Sequence, residues 1–295
     1  MQTYDKYKEI VEANLLNYLP DAGKYASKLR ESMAYSLSIG GKRLRPVLLL
    51  SACDAAGGDL ERALPYACAL EYIHTYSLIH DDLPAMDDDD MRRGKPSNHK
   101  VFGEAMAILA GDGLLNTAAE LISEQALNMK GDAESLYAHA RAAHEILNRS
   151  GASGMIAGQT ADVLSEDKEA TADLVEYIEL HKTADLITAP VRAGLMLANA
   201  EESMIDDFTV YARNLGVSFQ IADDILDYEG SEELMGKTLG KDSDQNKCNY
   251  ASVHGMQSAK NELHRLTKEA KSAIEKYSSS DYFNQLADML EERQQ

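Results

Sequence analysis

Prolines are almost confined to the first third of this 295-residue chain: five of the six lie at or before Pro96, and only Pro190 follows. Because proline disrupts a helix interior, long helices are permitted over the remaining two thirds. Apolar residues recur with the helical period, and strand-like alternation is absent. The helical stretches are 66–79, 105–122, 136–147, 174–189 and 208–226. The sequence therefore predicts an all-α fold of about ten helices, forming a single domain over residues 1–295.

The net charge and the hydropathy of the chain exclude two classes of binding partner. The chain carries 29 Lys and Arg against 49 Asp and Glu, a formal net charge of −20. Nucleic acid and anionic membrane surfaces attract basic proteins, so neither is an expected partner. No stretch approaches the roughly 18 apolar residues that span a bilayer, and the N-terminus does not resemble a signal peptide. We therefore expect no membrane partner.

The three cysteines, Cys53, Cys68 and Cys248, are odd in number and unclustered. They suggest neither a disulfide framework nor a zinc ligand set, and the simplest expectation is a reduced cytoplasmic protein. In their alanine-rich surroundings, Cys53 and Cys68 are expected to be small buried apolar residues.

Six aspartates crowd into residues 81–90, at the end of an apolar helical stretch. A run of like charges is commonly a solvated surface segment. Asp81 and Asp82, however, end a helix too apolar to be solvated all round, and Pro84 can turn the chain so that Asp87 folds back towards Asp81. Clustered carboxylates repel one another unless a cation neutralises them. A calcium EF-hand loop fails on spacing, because Met91 and Lys100 would occupy ligand positions.

A second acidic cluster, Asp223, Asp224 and Asp227, follows the apolar helical segment 219–222. Asp223 and Asp227 are four residues apart and share one helical face, where like charges destabilise the helix. A shared Mg²⁺ ion would explain the arrangement, because Mg²⁺ takes carboxylate, water and phosphate oxygens as ligands.

Basic residues are informative in so acidic a chain. Lys42, Arg43 and Arg45 follow a Gly-Gly pair, and Arg92 and Arg93 directly follow the first acidic cluster. Lys182 lies in a helical segment, and further lysines follow the second cluster. Each group alone could form surface salt bridges. Together with metal-binding carboxylates they indicate a phosphorylated ligand. The absence of a Walker-type loop disfavours a P-loop nucleotide enzyme.

These motifs together resemble the trans-polyprenyl diphosphate synthase family, from Gly40 to about Tyr250. The block 71–96 contains a match to the family's first aspartate-rich motif, DDxxxxD, at Asp81–Asp87. Residues 219–227 match the second motif, DDxxD. Gly158, Gln159 and Asp162 match a central Gly-Gln-x-x-Asp element. The chain is most similar to the bacterial farnesyl diphosphate synthases of the family.

The resemblance implies an isoprenoid-synthase-type helical bundle around a deep central cavity, with the two motifs facing each other across its mouth. It implies a homodimer that condenses isopentenyl diphosphate with an allylic diphosphate. It also implies three Mg²⁺ ions and a set of site residues. The metal ligands would be Asp81, Asp82, Asp87 and Asp223. Asp224 and Asp227 would act through a water molecule or by orienting the direct ligands. The allylic diphosphate would bind Arg92, Lys182, Lys237 and Lys247, and isopentenyl diphosphate would bind Lys42, Arg45, His74 and Arg93.

Three further groups would stabilise the allylic carbocation: the carbonyl of Lys182, the hydroxyl of Thr183 and the amide oxygen of Gln220. By pattern alone, His74 could equally be a core or capping histidine, and Gln220 a surface amide. Glu179 and Asp185 add acid near Lys182, where relatives are often neutral or basic. At the C-terminus, Arg293 is the only candidate for a basic residue that closes the site.

Tyr76 and Ser77 are expected to set the product length. Ser77 lies four residues before Asp81 on the same helical face, about 6 Å deeper, and Tyr76 lies five residues before. An aromatic residue followed by a small one resembles C15-forming bacterial enzymes, whereas C20-forming relatives carry a smaller residue at the first position. The alternative for Tyr76 is simple core packing. A C20 synthase therefore remains an alternative to the C15 reading, and a class I terpene cyclase and a non-catalytic prenyl synthase subunit rank lower.

Overall fold

We describe a computed structural model of the chain over residues 1–129, 131–165, 171–229 and 249–291. The chain folds into two compact units. The N-terminal unit comprises Gln2–Ala143 and Met196–Asn199, and the C-terminal unit comprises Met1, His144–Leu195 and Ala200–Gln295. A single domain over 1–295 stays a prediction.

The all-α prediction is confirmed. The helices of the first part of the chain are α1 (Tyr4–Asn14), α2 (Ser27–Ser38), α3 (Leu44–Ala55), α4 (Leu60–Asp81), α5 (Asn98–Phe102), α6 (Glu104–Leu127) and α7 (Ala133–Ser150). They are followed by α8 (Met155–Ser165), α9 (Ala172–Ile178), a π-helical turn (Glu179–Ala184), α10 (Asp185–Leu197), α11 (Glu202–Glu229), α12 (Tyr250–His254), α13 (Met256–Ile274) and α14 (Ser280–Glu291). Within the described residues there are thus more helices than the ten or so expected, because apolar periodicity does not register segments as short as α5 and α12.

No strand is expected from the sequence, but β1 (Met91–Arg92) and β2 (Lys95–Pro96) pair in an antiparallel hairpin. Arg93 and Gly94 form its two-residue turn, with φ of 51° and 75°. Positive φ at both central residues is what the tight hairpin turns require. Four residues are too short a stretch for alternation to be seen in the sequence.

The core of the N-terminal unit surrounds α4, which packs against α3 and α6. Asp59 begins α4 by accepting hydrogen bonds from the backbone N–H groups of Glu61 and Arg62. Cys53 and Cys68 are fully buried, as expected for small apolar residues. Burial raises the pKa of the Cys53 thiol to about 12, so it stays protonated and unreactive. Cys248 lies outside the described residues.

Helix α6 corrects one expectation. Among the described residues it is long and apolar enough to cross a membrane by length and composition, although 44% of its most apolar stretch is buried inside the protein. The core helix of a soluble protein passes the same test, and α6 packs against α2 and α4. This single helix is therefore weak evidence for a membrane span.

The C-terminal unit is built on the packing of α11 against α13. Their shared cluster includes Ile221, Ile225 and Leu263. A second apolar group surrounds Phe208, whose ring centroid lies 5.0 Å from that of Phe283 in an edge-to-face arrangement. This packing fixes α11 and hence the second aspartate motif at its C-terminal end.

Candidate functional site

The first aspartate motif forms a closed loop at the end of α4. The backbone N–H of Asp87 donates to the carbonyl of Asp81 at 2.9 Å, and that of Asp89 donates to the carbonyl of Asp82 at 3.2 Å. The expected return of Asp87 towards Asp81 is therefore present. Asp82 is buried, whereas Asp81 and Asp87 are half-buried.

Arg92 is drawn into this loop by Asp82. Its guanidinium donates through Nε to Asp82 Oδ1 at 2.9 Å, and Nη2 makes a second, shorter contact with the same oxygen. Burial raises the pKa of the Asp82 carboxyl, and the hydrogen bond from Arg92 counteracts that rise. Arg92, which is predicted to bind a diphosphate, is thus hydrogen-bonded to Asp82, which is predicted to bind a metal.

Arg93 points towards the Gly-Gly pair instead. Its Nη1 donates to the carbonyl of Gly40, and a Cβ added at Gly41 would lie 2.5 Å from the guanidinium carbon of Arg93. Gly41 also has φ of +135°, a backbone conformation that residues other than glycine rarely adopt. The glycine pair therefore makes room for the Arg93 guanidinium.

Arg43 has a structural role. It is buried with φ of 54°, and its guanidinium donates to Glu71 Oε1 at 2.7 Å and to the carbonyl of Leu37. Breaking such a buried ion pair leaves an unpaired charge and is strongly destabilising. Of the basic group at 42–45, this leaves Lys42, which is exposed, and Arg45, which is half-buried, as ligand candidates.

His74 lies half-buried within a set of arginines. Burial first, and then the charges of Arg45, Arg93, Arg92 and Arg43, hold the pKa of His74 well below its usual range. His74 is therefore neutral at physiological pH. Arg45 and Arg93, two of the residues predicted to bind isopentenyl diphosphate, are thus both within electrostatic range of His74, a third.

Tyr76 and Ser77 both lie on α4, as expected. The Tyr76 side chain is buried, and its hydroxyl has no hydrogen-bond partner. Burial, aided by the charge of Asp81, raises the pKa of Tyr76 to about 12. Its ring meets the ring of His80 edge to face, with centroids 5.8 Å apart. Ser77 Oγ donates to the carbonyl of His74 at 2.9 Å, so its polar group is satisfied within the helix.

In the C-terminal unit, a hydrogen-bonded chain runs from the π-helical turn to the second aspartate motif. Thr183 Oγ1 donates to Gln220 Oε1 at 2.7 Å, and Gln220 Nε2 donates to Asp224 Oδ1 at 2.9 Å. Asp224 Oδ2 also accepts from the backbone N–H of Tyr250 at 3.3 Å. Asp224 and Asp227 are buried, whereas Asp223 is half-buried. Asp224 thus has the contacts expected of a residue that orients neighbouring groups without binding the metal ion itself.

The π-helical turn is held between two glycines. A Cβ at Gly158 on α8 would lie 2.1 Å from the backbone nitrogen of Lys182. A Cβ at Gly216 on α11 would lie 2.5 Å from Ala184 Cα. Isolated π-helical turns are often found at functional sites. Here the bare glycine backbones set the position of the turn that carries Lys182 and Thr183.

Lys182 pairs with the aspartate of the central motif: its Nζ lies 2.5 Å from Asp162 Oδ2. Asp185, the additional acid near Lys182, has other partners, because it contacts Arg149 and lies 2.8 Å from His181 Nδ1. The extra acid at Asp185 therefore belongs to a neighbouring ion-pair network.

Glu179 is the most perturbed acid of this turn. It is buried, and its Oε1 has no hydrogen-bond partner. Burial, with a contribution from the negative charge of Asp224, raises its pKa from 4.5 to about 9. Glu179 is therefore protonated in the folded protein at neutral pH, whereas it ionises in the unfolded chain.

We expect Glu179→Gln to stabilise the metal-free protein increasingly as pH rises from 4.5 towards 9. Below pH 4.5 the wild-type carboxyl is protonated in both states, so the variant should gain nothing. At pH 8 the gain should reach about 2–4 kcal/mol, because the unfolded wild type is favoured by releasing its proton. Urea unfolding at pH 4 and pH 8 measures the difference, with the exposed Glu176→Gln as control. An equal gain at both pH values would indicate a packing effect and contradict the prediction.

Some predicted residues are not placed. Lys237, Lys247 and Arg293 lie outside the described residues. The first aspartate motif belongs to the N-terminal unit, and the second motif belongs to the C-terminal unit with Lys182, Thr183 and Gln220. That the two motifs face each other across a cavity stays a prediction.

Sequence reasoning assigned no role to Gly158, Gly216 or Asp162. Gly158 and Asp162 both belong to the central motif. The structure explains them, because Gly158 lets the π-helical turn approach and Asp162 pairs with Lys182. Gly216 carried only the weak signal of a glycine in a long helical pattern, which usually marks a close approach of backbones.

Comparisons with known proteins identify the family of this chain. Residues 26–286 match the family model described as polyprenyl synthetase. A farnesyl diphosphate synthase of Geobacillus stearothermophilus is 47% identical over 89% of this chain and 86% of its own length. One of Bacillus subtilis is 44% identical over 97% and 95%. A geranylgeranyl diphosphate synthase of Cyanophora paradoxa is 46% identical over 90% and 87%.

A solved structure described as a geranyltransferase from Legionella pneumophila superposes with a TM-score of 0.84. The alignment covers 99% of this chain and 96% of that one at 33% identity. Both the sequence and the helical fold are therefore shared over nearly the whole length. The chain belongs to the polyprenyl synthetase family, and it is a prenyltransferase.

Proposed function

We propose that this chain condenses isopentenyl diphosphate head to tail with dimethylallyl diphosphate and then geranyl diphosphate, forming farnesyl diphosphate (C15) and pyrophosphate. The farnesyl diphosphate synthases among its relatives support the reaction. The observation that carries the C15 product is the buried Tyr76 one turn before the first aspartate motif, because the relatives also include a C20 enzyme.

Both aspartate motifs fit Mg²⁺ by an argument independent of the family. Asp81 ends α4, and Asp223 to Asp227 lie in the last turns of α11. Carboxylates at a helix C-terminus face the negative end of the helix dipole, at a cost of about 0.3–1 kcal/mol each. A bound cation offsets that cost, and an all-oxygen set of ligands suits Mg²⁺.

Three Mg²⁺ ions are proposed, with Asp81, Asp82, Asp87 and Asp223 as ligands and with Asp224 and Asp227 as supporting residues. When bound, they neutralise the allylic diphosphate as a leaving group. Arg92 supplies a guanidinium beside the first motif and is positioned by Asp82. Lys182, positioned by Asp162, supplies an ammonium from the π-helical turn. Lys237 and Lys247 complete the proposed allylic diphosphate site.

The isopentenyl diphosphate site is proposed at Lys42, Arg45, His74 and Arg93. Burial, and then the charges of the surrounding arginines, lower the pKa of His74, so the neutral imidazole can donate one hydrogen bond to a phosphate oxygen. The guanidinium groups match diphosphate oxygens in pairs. Binding in this field holds the substrate double bond ready for attack.

Departure of the allylic diphosphate leaves a carbocation. The carbonyl of Lys182, the Thr183 hydroxyl and the Gln220 amide oxygen are proposed to direct negative dipole ends towards it. The hydrogen-bond chain from Thr183 to Asp224 fixes the Gln220 amide with its oxygen towards the π-helical turn. Released pyrophosphate is the proposed base for the final proton, so no protein general base is required.

The assay that tests this function supplies Mg²⁺, dimethylallyl diphosphate and isopentenyl diphosphate to the purified chain and sizes the dephosphorylated products. A C15 alcohol supports the proposal, and a C20 alcohol would assign the alternative. Absence of pyrophosphate release would indicate a non-catalytic subunit. Hydrocarbon formed from farnesyl diphosphate alone would indicate a terpene cyclase.

We expect Tyr76→Ala to lengthen the product from C15 to C20 or beyond. The phenol ring is buried with an unpaired hydroxyl, so its removal opens space on α4 below Asp81 for a longer apolar tail. Chromatography of the dephosphorylated products measures chain length. The control is Tyr72→Phe on the same helix, which retains the ring, and it should keep the wild-type product. A Tyr76→Ala enzyme that still stops at C15 would refute the role of Tyr76 as a floor.

A homodimer and a cytoplasmic location are also proposed. Val101, Ile108 and Leu109 are exposed apolar residues on α5 and α6, between 45% and 53% exposed. Such a surface on the N-terminal unit is suited to contact with a second copy. Sedimentation equilibrium tests this, and a monomer at micromolar concentration would contradict it. The buried, unpaired thiols Cys53 and Cys68 suit a reducing compartment.

A further inference from the structure

Three potential metal ligands meet where the acidic loop approaches α5. One carboxylate oxygen each from Asp88 and Asp90, and one ring nitrogen of His99, lie within 4.8 Å of one another. In the part of the chain that the structure describes, this is the one group of three or more such side chains with that geometry. It contains none of the six aspartates assigned above to Mg²⁺.

His99 provides a second observation. It is only 6% exposed, and its Nε2 is buried with no hydrogen-bond partner. A buried polar atom without a partner costs about 1–3 kcal/mol, so most such atoms in proteins are paired with protein, water or an ion. Nothing in the proposed reaction uses this imidazole.

Ser97 contacts one ring nitrogen of His99, and the other ring nitrogen has no partner. Ser97 Oγ donates its only proton to the carbonyl of Asp90 at 3.3 Å, and it lies 3.2 Å from His99 Nδ1. Nδ1 is thus in contact with the Ser97 hydroxyl, and Nε2 is the ring nitrogen without a hydrogen-bond partner. Metal-binding histidines are oriented in this way, with one nitrogen donating to a neighbouring group and the other free for the ion.

The backbone supports the same arrangement. The N–H of Ser97 donates to the carbonyl of Asp90 at 2.9 Å, which ties the acidic loop to the residue before α5. Asp88 has φ of 48°, and its N–H donates to the carbonyl of Leu83 at 3.2 Å. The two carboxylates are thus presented by a loop whose backbone is fixed on both sides, while their exposed side chains admit an ion from solvent.

Lys100 is the competing cation. Its Nζ lies 2.6 Å from Asp90 Oδ1. Asp88 and Glu104 add to the negative field around it. Lys100 is itself substantially exposed and can swing into solvent when a divalent ion takes its place.

We propose that Asp88, Asp90 and His99 form a binding site for a first-row transition-metal ion such as Zn²⁺, separate from the Mg²⁺ ions of the two aspartate motifs. The imidazole nitrogen decides the type of ion, because Mg²⁺ selects oxygen ligands whereas Zn²⁺ and its neighbours accept mixed nitrogen and oxygen sets. Bound there, the ion would join the acidic loop to α5 and stabilise the hairpin that carries Arg92 and Arg93.

The test uses the full chain, stripped of metal with a chelator and then held in saturating Mg²⁺. Zn²⁺ is titrated calorimetrically, and Co²⁺ is followed by its visible absorption. The proposal expects one Zn²⁺ site per chain that Mg²⁺ does not displace. It expects Asp88→Asn, an exposed substitution that should not disturb folding, to weaken that site by about 10- to 100-fold. His99→Gln should do the same and alter the Co²⁺ spectrum.

The matched control is His264→Gln, which removes an exposed histidine 3.0 Å from Glu291 Oε1 and should leave Zn²⁺ binding unchanged. Three results would overturn the proposal. These are absence of the site in the wild type, its full displacement by Mg²⁺, and unchanged affinity in Asp88→Asn. Loss of the site in Asp81→Asn but not in Asp88→Asn would assign the ion to the first aspartate motif and would equally overturn it.

Discussion

Asp81→Asn is expected to lower kcat/KM for the condensation by about 1,000-fold, corresponding to about 4 kcal/mol of lost transition-state stabilisation. Asparagine keeps the size of the side chain but removes the negative charge that a Mg²⁺ ion requires. Pyrophosphate release measured against Mg²⁺ concentration should show weaker metal dependence together with the lower rate. Asp5→Asn, which alters an exposed acid in the same unit, should retain wild-type activity.

The same variant should not be less stable without metal. Asp81 ends α4, where its charge faces the negative end of the helix dipole. Removing that charge should raise the free energy of unfolding of the metal-free protein by about 0.5 kcal/mol. Lower activity together with equal or higher stability separates loss of a metal ligand from loss of the fold. Activity within a few-fold of wild type would refute the metal assignment.

The second large effect is expected from a single methyl group at Gly158. In Gly158→Ala the new Cβ would lie 2.1 Å from the backbone nitrogen of Lys182 and 2.6 Å from its Cα. Backbone atoms cannot rotate away as a side chain can, so the π-helical turn must shift. A misplacement of about 1 Å at a catalytic group costs about 100-fold in rate. We expect the loss mainly in kcat, because the groups on the turn are proposed to act on the transition state.

Two further glycines make this test specific. Gly216→Ala, which crowds Ala184 Cα on the same turn at 2.5 Å, should reproduce the effect. Gly113→Ala is the matched control, because the nearest atoms to its Cβ would belong to flexible side chains, Met33 Sδ at 3.1 Å and Leu29 Cδ1 at 3.6 Å. Circular dichroism and thermal unfolding report the fold of each variant. A folded Gly158→Ala enzyme with wild-type kcat would show that the position of the turn does not matter for catalysis.

The helical class and the acidic loop could be predicted from the sequence because both depend on local rules. Proline placement permits long helices, and Pro84 turns the chain so that the Asp87 N–H reaches the Asp81 carbonyl. The resemblance supplied candidates such as Lys182 and Gln220. It did not supply their partners, because Asp162 is 20 residues from Lys182 and only the fold brings the two charges together.

Other features could not be predicted for specific physical reasons. The π-helical turn depends on two backbone approaches, at Gly158 and Gly216, that no periodicity records. The inward turn of Arg43 depends on Glu71, 28 residues away, and a partner so distant in the chain cannot be read from the basic group at 42–45. The raised pKa of Glu179 is a consequence of burial, which the charges in the sequence do not reveal.

Helix α6 has a consequence for the order in which the chain is synthesised. By length and composition it could be taken for a membrane span, yet its neighbours in the fold, α2 and α4, precede it in the chain. Because translation proceeds from the N-terminus, both partners have left the ribosome before α6 emerges and can cover its apolar side at once. A circular permutant that begins at α6 would present this segment first, uncovered, to the translocation machinery and chaperones of the cell. The order of the helices thus makes the packing partners of α6 available when α6 is synthesised.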